Sequence, residues 1–173
     1  MRKLNKMNEI KFLVLGGSAV GKTFIISQYT HNKFIDFATI EIDRFNKEIE
    51  INNKKVILQI WDTPGVKKFR SLFEHFMKNS IIILIVYDIT NRSSFEELNY
   101  RIEDFKKVNK NEELIIGIAA NKCDLYEYQE VSFGEGVQFA KDNNCLFYIT
   151  SAKDHDSVKN AFEGLTRAYI EQN

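Results

Sequence analysis

Gly16-Gly17-Ser18-Ala19-Val20-Gly21-Lys22-Thr23 decides how this chain folds. The stretch satisfies the pattern G-x-x-x-x-G-K-[ST]. It follows the apolar run Ile10–Leu15 and opens Thr23–Tyr29, which reads as a helix. A strand, a glycine-rich turn and a helix in that order make a phosphate-binding loop. The glycines let the backbone curl so that its N–H groups face a polyphosphate, and the helix N-terminus adds positive partial charge. Lys22 is then placed for the β- and γ-phosphates, and the Thr23 hydroxyl for Mg²⁺.

Working outward, apolar runs alternate with amphipathic stretches. Lys47–Ile51 and Val56–Trp61 flank Asn52-Asn53, a hairpin turn signal. Ile81–Tyr87, Leu114–Ala120 and Leu146–Thr150 read as further strands. Ser93 with Glu96 fits a capping box that opens a helix through about Val108. Ser132 with Glu135 fits a second, and Val158, Phe162, Leu165 and Tyr169 recur at helical spacing through Ile170. This order predicts an α/β fold, a six-stranded mostly parallel sheet with one antiparallel strand and helices on both faces. Ligands of such sheets bind beyond the carboxyl ends of the strands, so the chemical residues are expected just after strands.

The chain has 173 residues, enough for one domain, expected over residues 9–171 with 1–8 as an N-terminal extension. Lys plus Arg number 24 and Asp plus Glu 24, so no global charge favours nucleic acid or an anionic membrane. Two cysteines, Cys123 and Cys145, make no disulfide framework and imply reduced thiols in a cytoplasmic setting. The apolar run Ile81–Tyr87 is far too short to span a bilayer. His31, His75 and His155 lack metal-ligand spacing and are expected at the surface.

Three more motifs follow predicted strands. Asp62-Thr63-Pro64-Gly65 offers a carboxylate that can hold Mg²⁺ through water, and Gly65 frees a backbone N–H to approach a terminal phosphate. Asn121-Lys122-Cys123-Asp124 offers a carboxylate able to accept two parallel N–H bonds. Guanine's Watson–Crick edge presents two adjacent donors and adenine's does not, so Asp124 can select the base. Ser151-Ala152-Lys153 can present backbone N–H to that base. A solvated loop is the competing reading of each motif alone, since Asn and Asp favour turns.

Together these motifs, with Leu58-Gln59-Ile60-Trp61, Val86-Tyr87-Asp88-Ile89-Thr90 and Thr150, resemble a small GTPase of the Ras superfamily, most similar to the Rab branch. The resemblance runs from about Glu9 to Ile170. It implies a phosphate-loop G domain with five helices, Mg²⁺, and switching between GTP and GDP forms. It implies nucleotide contacts from Gly16, Ser18, Ala19, Val20, Gly21, Lys22, Thr23, Phe24, Asn121, Lys122, Asp124, Ser151, Ala152 and Lys153. Phe34 would stack on the guanine. Thr39 would reach both Mg²⁺ and the γ-phosphate, joining Thr23 and water-bridged Asp62 at the metal and Lys22 and Gly65 in catalysis. Effectors, exchange factors and GTPase-activating proteins would meet the switch segments around Arg44, Trp61 and Phe76. A role in vesicle trafficking follows, as a monomer in the cytoplasm, peripheral on endomembranes where a lipidated tail or partner exists.

The sequence departs from that pattern in five places. Val66 stands where a Gln normally orients the attacking water, and a valine cannot hydrogen-bond water. Help of that kind is worth ~10²–10⁴-fold in rate, so slow hydrolysis is expected. Pro64 stands for the usual Ala and stiffens the start of the second switch. The stretch from Phe34 to Thr39 is shorter than the family pattern, which makes the role of Thr39 less direct; Thr30 is a substitute only on paper, at the end of the first helix. Arg44 occupies the place of an effector-facing aromatic, with Phe45 one residue later, so either the register differs or the surface is altered. No cysteine closes the chain at Glu171-Gln172-Asn173, leaving a trimmed chain, an unlipidated relative or one domain of a longer protein. A GTP-binding module with negligible turnover is the second functional reading, motivated by Val66. A phosphate-loop kinase or ATPase is opposed by Asp124 and by Ser151-Ala152-Lys153.

Overall fold

A computed structural model describes residues 8–33, 42–64, 77–78 and 80–173. Phe34, Thr39, Gly65, Val66, His75 and Phe76 lie outside the described residues. Six strands form one sheet: β1 (Asn8–Gly16), β2 (Asp43–Ile51), β3 (Lys54–Asp62), β4 (Ile82–Asp88), β5 (Ile115–Asn121) and β6 (Leu146–Ile149). Their order across the sheet is β2-β3-β1-β4-β5-β6. All pairings are parallel except β2 with β3. This is the expected sheet, with its one antiparallel strand.

The central strands are apolar because both faces are covered. Every residue of β4 and β5 is buried. In β1 the side chains alternate: Phe12 and Val14 join Ile25, Ile26, Phe162 and Leu165 on one face, while Leu13 and Leu15 join Ile102, Phe105 and Val131 on the other. The first face is covered by α1 (Lys22–His31) and by the C-terminal helix His155–Gln172; Tyr29 stacks on Phe162 with ring centroids 4.4 Å apart.

The β2–β3 turn forms as its residues require. Asn52 and Asn53 both take left-handed backbone, φ 52 and 61, and Ile51 pairs with Lys54 across the two-residue loop. That is the turn whose twist matches a hairpin. It fixes the register of the whole ladder, to which the functional surface below is tied.

One predicted cap is corrected. Ser93 does not open its helix; Asn91 does, its side chain accepting from the Ser94 N–H at 3.4 Å. Ser94 explains the earlier start. Its hydroxyl accepts from Asp88 N–H at 3.0 Å and donates to Asn91 O at 2.7 Å, folding the chain back at the end of β4. Helix α2 (Arg92–Glu96) runs into α3 (Leu98–Val108) through Glu97, whose backbone stays right-handed helical. The second capping box forms as predicted. Ser132 Oγ accepts from Glu135 N–H at 3.3 Å and Glu135 Oε2 accepts from Ser132 N–H at 2.9 Å, opening α4 (Phe133–Asp142). The C-terminal helix, α5, starts at His155, earlier than its apolar periodicity suggests, because Asp154 caps it.

Candidate functional site

The loop between β1 and α1 curls where glycine permits it. Gly16 has φ +154, and a Cβ there would sit 2.4 Å from Val86 O of β4. Gly21 has φ +96, and its Cβ would sit 2.4 Å from Asn121 Nδ2. The loop is thus pressed between two strand ends, and any side chain at either position would force it open. Lys22, 6% exposed, folds over the curl and donates to Gly16 O at 3.2 Å and Gly17 O at 2.6 Å. Burial pushes its ammonium down to about 8; the Asp62 carboxylate opposes that shift and the Arg101 guanidinium adds to it.

Thr23, in the first turn of α1, donates its hydroxyl to Asp62 Oδ2 at 2.6 Å. Asp62 ends β3 and is 1% exposed, and Thr63 beside it donates its hydroxyl to Val14 O at 2.7 Å. A hydroxyl and a carboxylate already in contact are hard oxygen donors suited to Mg²⁺, which takes one or two protein oxygens and fills its octahedron with phosphate and water. Thr30 is tied elsewhere, donating to Ile26 O at 2.7 Å in the last turns of α1.

A cavity of about 220 Å³ opens beside the loop, lined by Gly21, Phe24, Asn121, Lys122, Asp124, Leu125, Ser151, Ala152 and Lys153. Eight of these nine are the expected residues; Leu125 completes the wall. Asp124 is the polar centre. Its Oδ1 accepts from Ser151 Oγ at 2.6 Å, and its Oδ2 pairs with Lys153 Nζ at 2.7 Å. Burial alone would raise its carboxyl, but the hydrogen bonds from Lys153 and Ser151 outweigh that and hold it below the usual range.

Asn121 serves the frame. Its Nδ2 donates to Val20 O at 2.8 Å and its Oδ1 accepts from Thr150 Oγ1 at 3.0 Å, so one amide ties the loop, β5 and β6 together. Lys122 has left-handed backbone, φ 62, and its Nζ pairs with Asp88 Oδ2 at 2.5 Å. Asp88 and Thr150 were visible as sequence; their clamping roles depend on the adjacency of strand ends. Cys123 and Cys145 are both free thiols, and burial raises each, Cys145 to about 11. His155 is half-buried rather than on the surface, its Nδ1 lying 3.2 Å from Gln28 O.

The β2–β3 ladder resolves the question over Arg44. Arg44 pairs directly with Trp61, and Phe45 pairs with Ile60 on the opposite face, where it packs against the core. The register is regular, so the outward position is a cation. The Arg44 guanidinium lies 5.6 Å from the Trp61 ring and Lys11 Nζ 5.4 Å from it.

A curled loop after the first strand, a hydroxyl–carboxylate pair and a pocket with a carboxylate in its wall, all at the carboxyl edge of a mostly parallel sheet, define a phosphate-loop nucleotide-binding domain. A family model described as the Ras family matches residues 11–171. The chain is 40% identical over 157 residues to Ras-related protein Rab-11B of Dictyostelium discoideum, covering 90% of this chain and 71% of that protein. It is 38% identical over 165 residues to Ras-related protein Rab-2B of the same organism, covering 94% and 81%. The chain belongs to the Ras family, as a Rab-like small GTPase. It is accordingly a GTP-binding switch of a family that hydrolyses GTP and typically uses Mg²⁺. Among the described residues no helix is long and apolar enough to cross a membrane.

Proposed function

We propose that the guanine nucleotide lies along the carboxyl edge of the sheet, its phosphates in the loop Gly16–Thr23 and its base against Asp124. The observation that supports this best is the cavity beside Gly21 with Asp124 in its wall. Ser151 orients that carboxylate, and Lys153 must release it to the base. Phe24, Phe34, Lys122 and Ala152 complete the contacts. Residues 9–171 act as one G domain.

In hydrolysis Lys22 exchanges its loop carbonyls for phosphate oxygens and steadies the charge that develops on them. Loop N–H groups and the Gly65 N–H do the same. Thr23, Thr39 and, through water, Asp62 would hold Mg²⁺, which would supply positive charge against the phosphates. No side chain at position 66 can orient the attacking water, so the chain turns over slowly and the GTP form is long-lived. Effectors, exchange factors and GTPase-activating proteins meet the Arg44, Trp61 and Phe76 surface, and the monomeric switch serves vesicle trafficking from the cytoplasm, peripheral on endomembranes where a lipidated tail or partner brings it there. Val66 also favours a second reading, a GTP-binding module with negligible turnover.

The test is displacement of a fluorescent GDP analogue, then single-turnover hydrolysis of pre-loaded GTP with Mg²⁺. GTP and GDP should compete and ATP should not; equal competition by ATP would overturn the base assignment. Turnover at an ordinary Rab rate would overturn the slow-switch reading.

A further inference from the structure

The outward face of β1, β2 and β3 carries its charges sorted by sign. Strand pairing sets Arg44 beside Trp61, and Lys11 Nζ lies 5.4 Å from the centroid of the same ring. Further back along β3, Ile57 is paired with Glu48 on one side and with Glu9 on the other. Gln59 lies between the two ends, and its amide donates to Glu9 Oε2 at 2.8 Å. Trp61 and Ile57 are half-buried, while Arg44, Glu48 and Glu9 are exposed. None of those three charges stands in an ion pair with another described residue.

Sheet stability does not ask for this sorting. Opposite charges facing one another across strands stabilise a sheet, and like charges weaken it. This face instead keeps its cations around Trp61 and its acids around Ile57. The strand between those two residues spans about 13 Å, more than a Debye length (~8 Å at 0.15 M salt), so the two ends present separate signs rather than cancelling. Three strands measure about 10 Å across, the width of one α-helix. Trp61 and Ile57 lay an apolar line along the middle of that width.

We propose that this face receives an amphipathic helix of split charge from a partner protein. Its apolar residues lie along β3, a carboxylate sits over Arg44 and Trp61, and a cation sits over Ile57 between Glu9 and Glu48. The proposal rests on the effector surface proposed above and names the chemistry of its partner. At about 1.5 Å per residue, the two charges stand roughly seven to eleven residues apart on one face of the helix. A helix of a single sign meets repulsion at one end, so the pattern rejects wrong partners as well as attracting the matching one.

The probe is a displayed library of helix-forming peptides, randomised along one face and selected on the intact chain with Mg²⁺ and a β,γ-imido GTP analogue. Selected peptides should carry Asp or Glu and Lys or Arg separated by that spacing. Arg44→Glu should weaken them about tenfold at 0.02 M salt and less at 0.2 M, and Glu48→Lys should do the same. Urea unfolding checks that both variants are folded, and Arg44→Gln is the milder substitute should Arg44→Glu not fold. Reselection on Arg44→Glu should bring in peptides with cations at both ends. Peptides that Arg44→Glu weakens but that show no separation of charge would leave the surface standing and overturn the split-charge partner. Peptides that neither substitution weakens, or a library that yields no binder, would overturn the partner and the surface together.

Discussion

Ser151 donates its hydroxyl to Asp124 at 2.6 Å across 27 residues of chain, so the two loops after β5 and β6 share one polar centre. The carboxylate is held in one orientation before any base arrives. Asp124→Asn replaces one acceptor with a donor and sets it against a guanine donor. Discrimination for GTP over XTP should fall by about 10²-fold, since a site built for hydrogen bonds rejects a mismatch strongly. Competition binding with the two nucleotides checks it, and unchanged discrimination would remove Asp124 from its role.

Asn121→Ala should cost about 1–3 kcal/mol in urea unfolding of the nucleotide-free protein. The change leaves Val20 O and the Thr150 hydroxyl without the amide that serves both in a buried setting. A loss below that range would mean that water replaces the amide.

The α4 cap gives a pH signature. Hydrogen bonds from Arg92, and then from Ser132, lower the Glu135 carboxyl from 4.5 to about 2. A carboxylate lowered by folding stabilises the fold fully above its unfolded value. That contribution is lost as pH falls from about 4.5 towards 2. Urea midpoints for the wild type should therefore drop through this window more steeply than for Glu135→Gln. Parallel curves would show the cap to be uncoupled from stability. Because the group is exposed, high salt should shrink the difference.

Val66→Gln should raise single-turnover hydrolysis, by up to about 10²-fold, through water positioning. An unchanged rate would point to the shortened stretch before Thr39, or to Pro64, as the limit.

The fold was largely legible because buried parallel strands are apolar runs and their chemistry follows them at once. Gly16–Thr23, Asp62, Asn121–Asp124 and Ser151–Lys153 each sit at or after a strand end, as anticipated. The Asn91 cap was hidden because Ser93 and Glu96 match a capping box while the real start is set by Ser94 against Asp88. Arg44 was decidable in principle: counting back along both strands from Asn52-Asn53 puts it opposite Trp61. The pairing of Asp88 with Lys122 was not, since the ends of β4 and β5 come together only in the folded sheet.

The amide of Asn121 has a consequence for how the protein is made. It reaches back 101 residues to Val20 and forward to Thr150. During synthesis the phosphate loop emerges from the ribosome early, yet its last brace arrives only with the final third of the chain. Nascent chains halted before Asn121 should therefore retain no nucleotide, and capture should appear only once Ser151–Lys153 and the helix His155–Gln172 have emerged, so that it reports a completed domain.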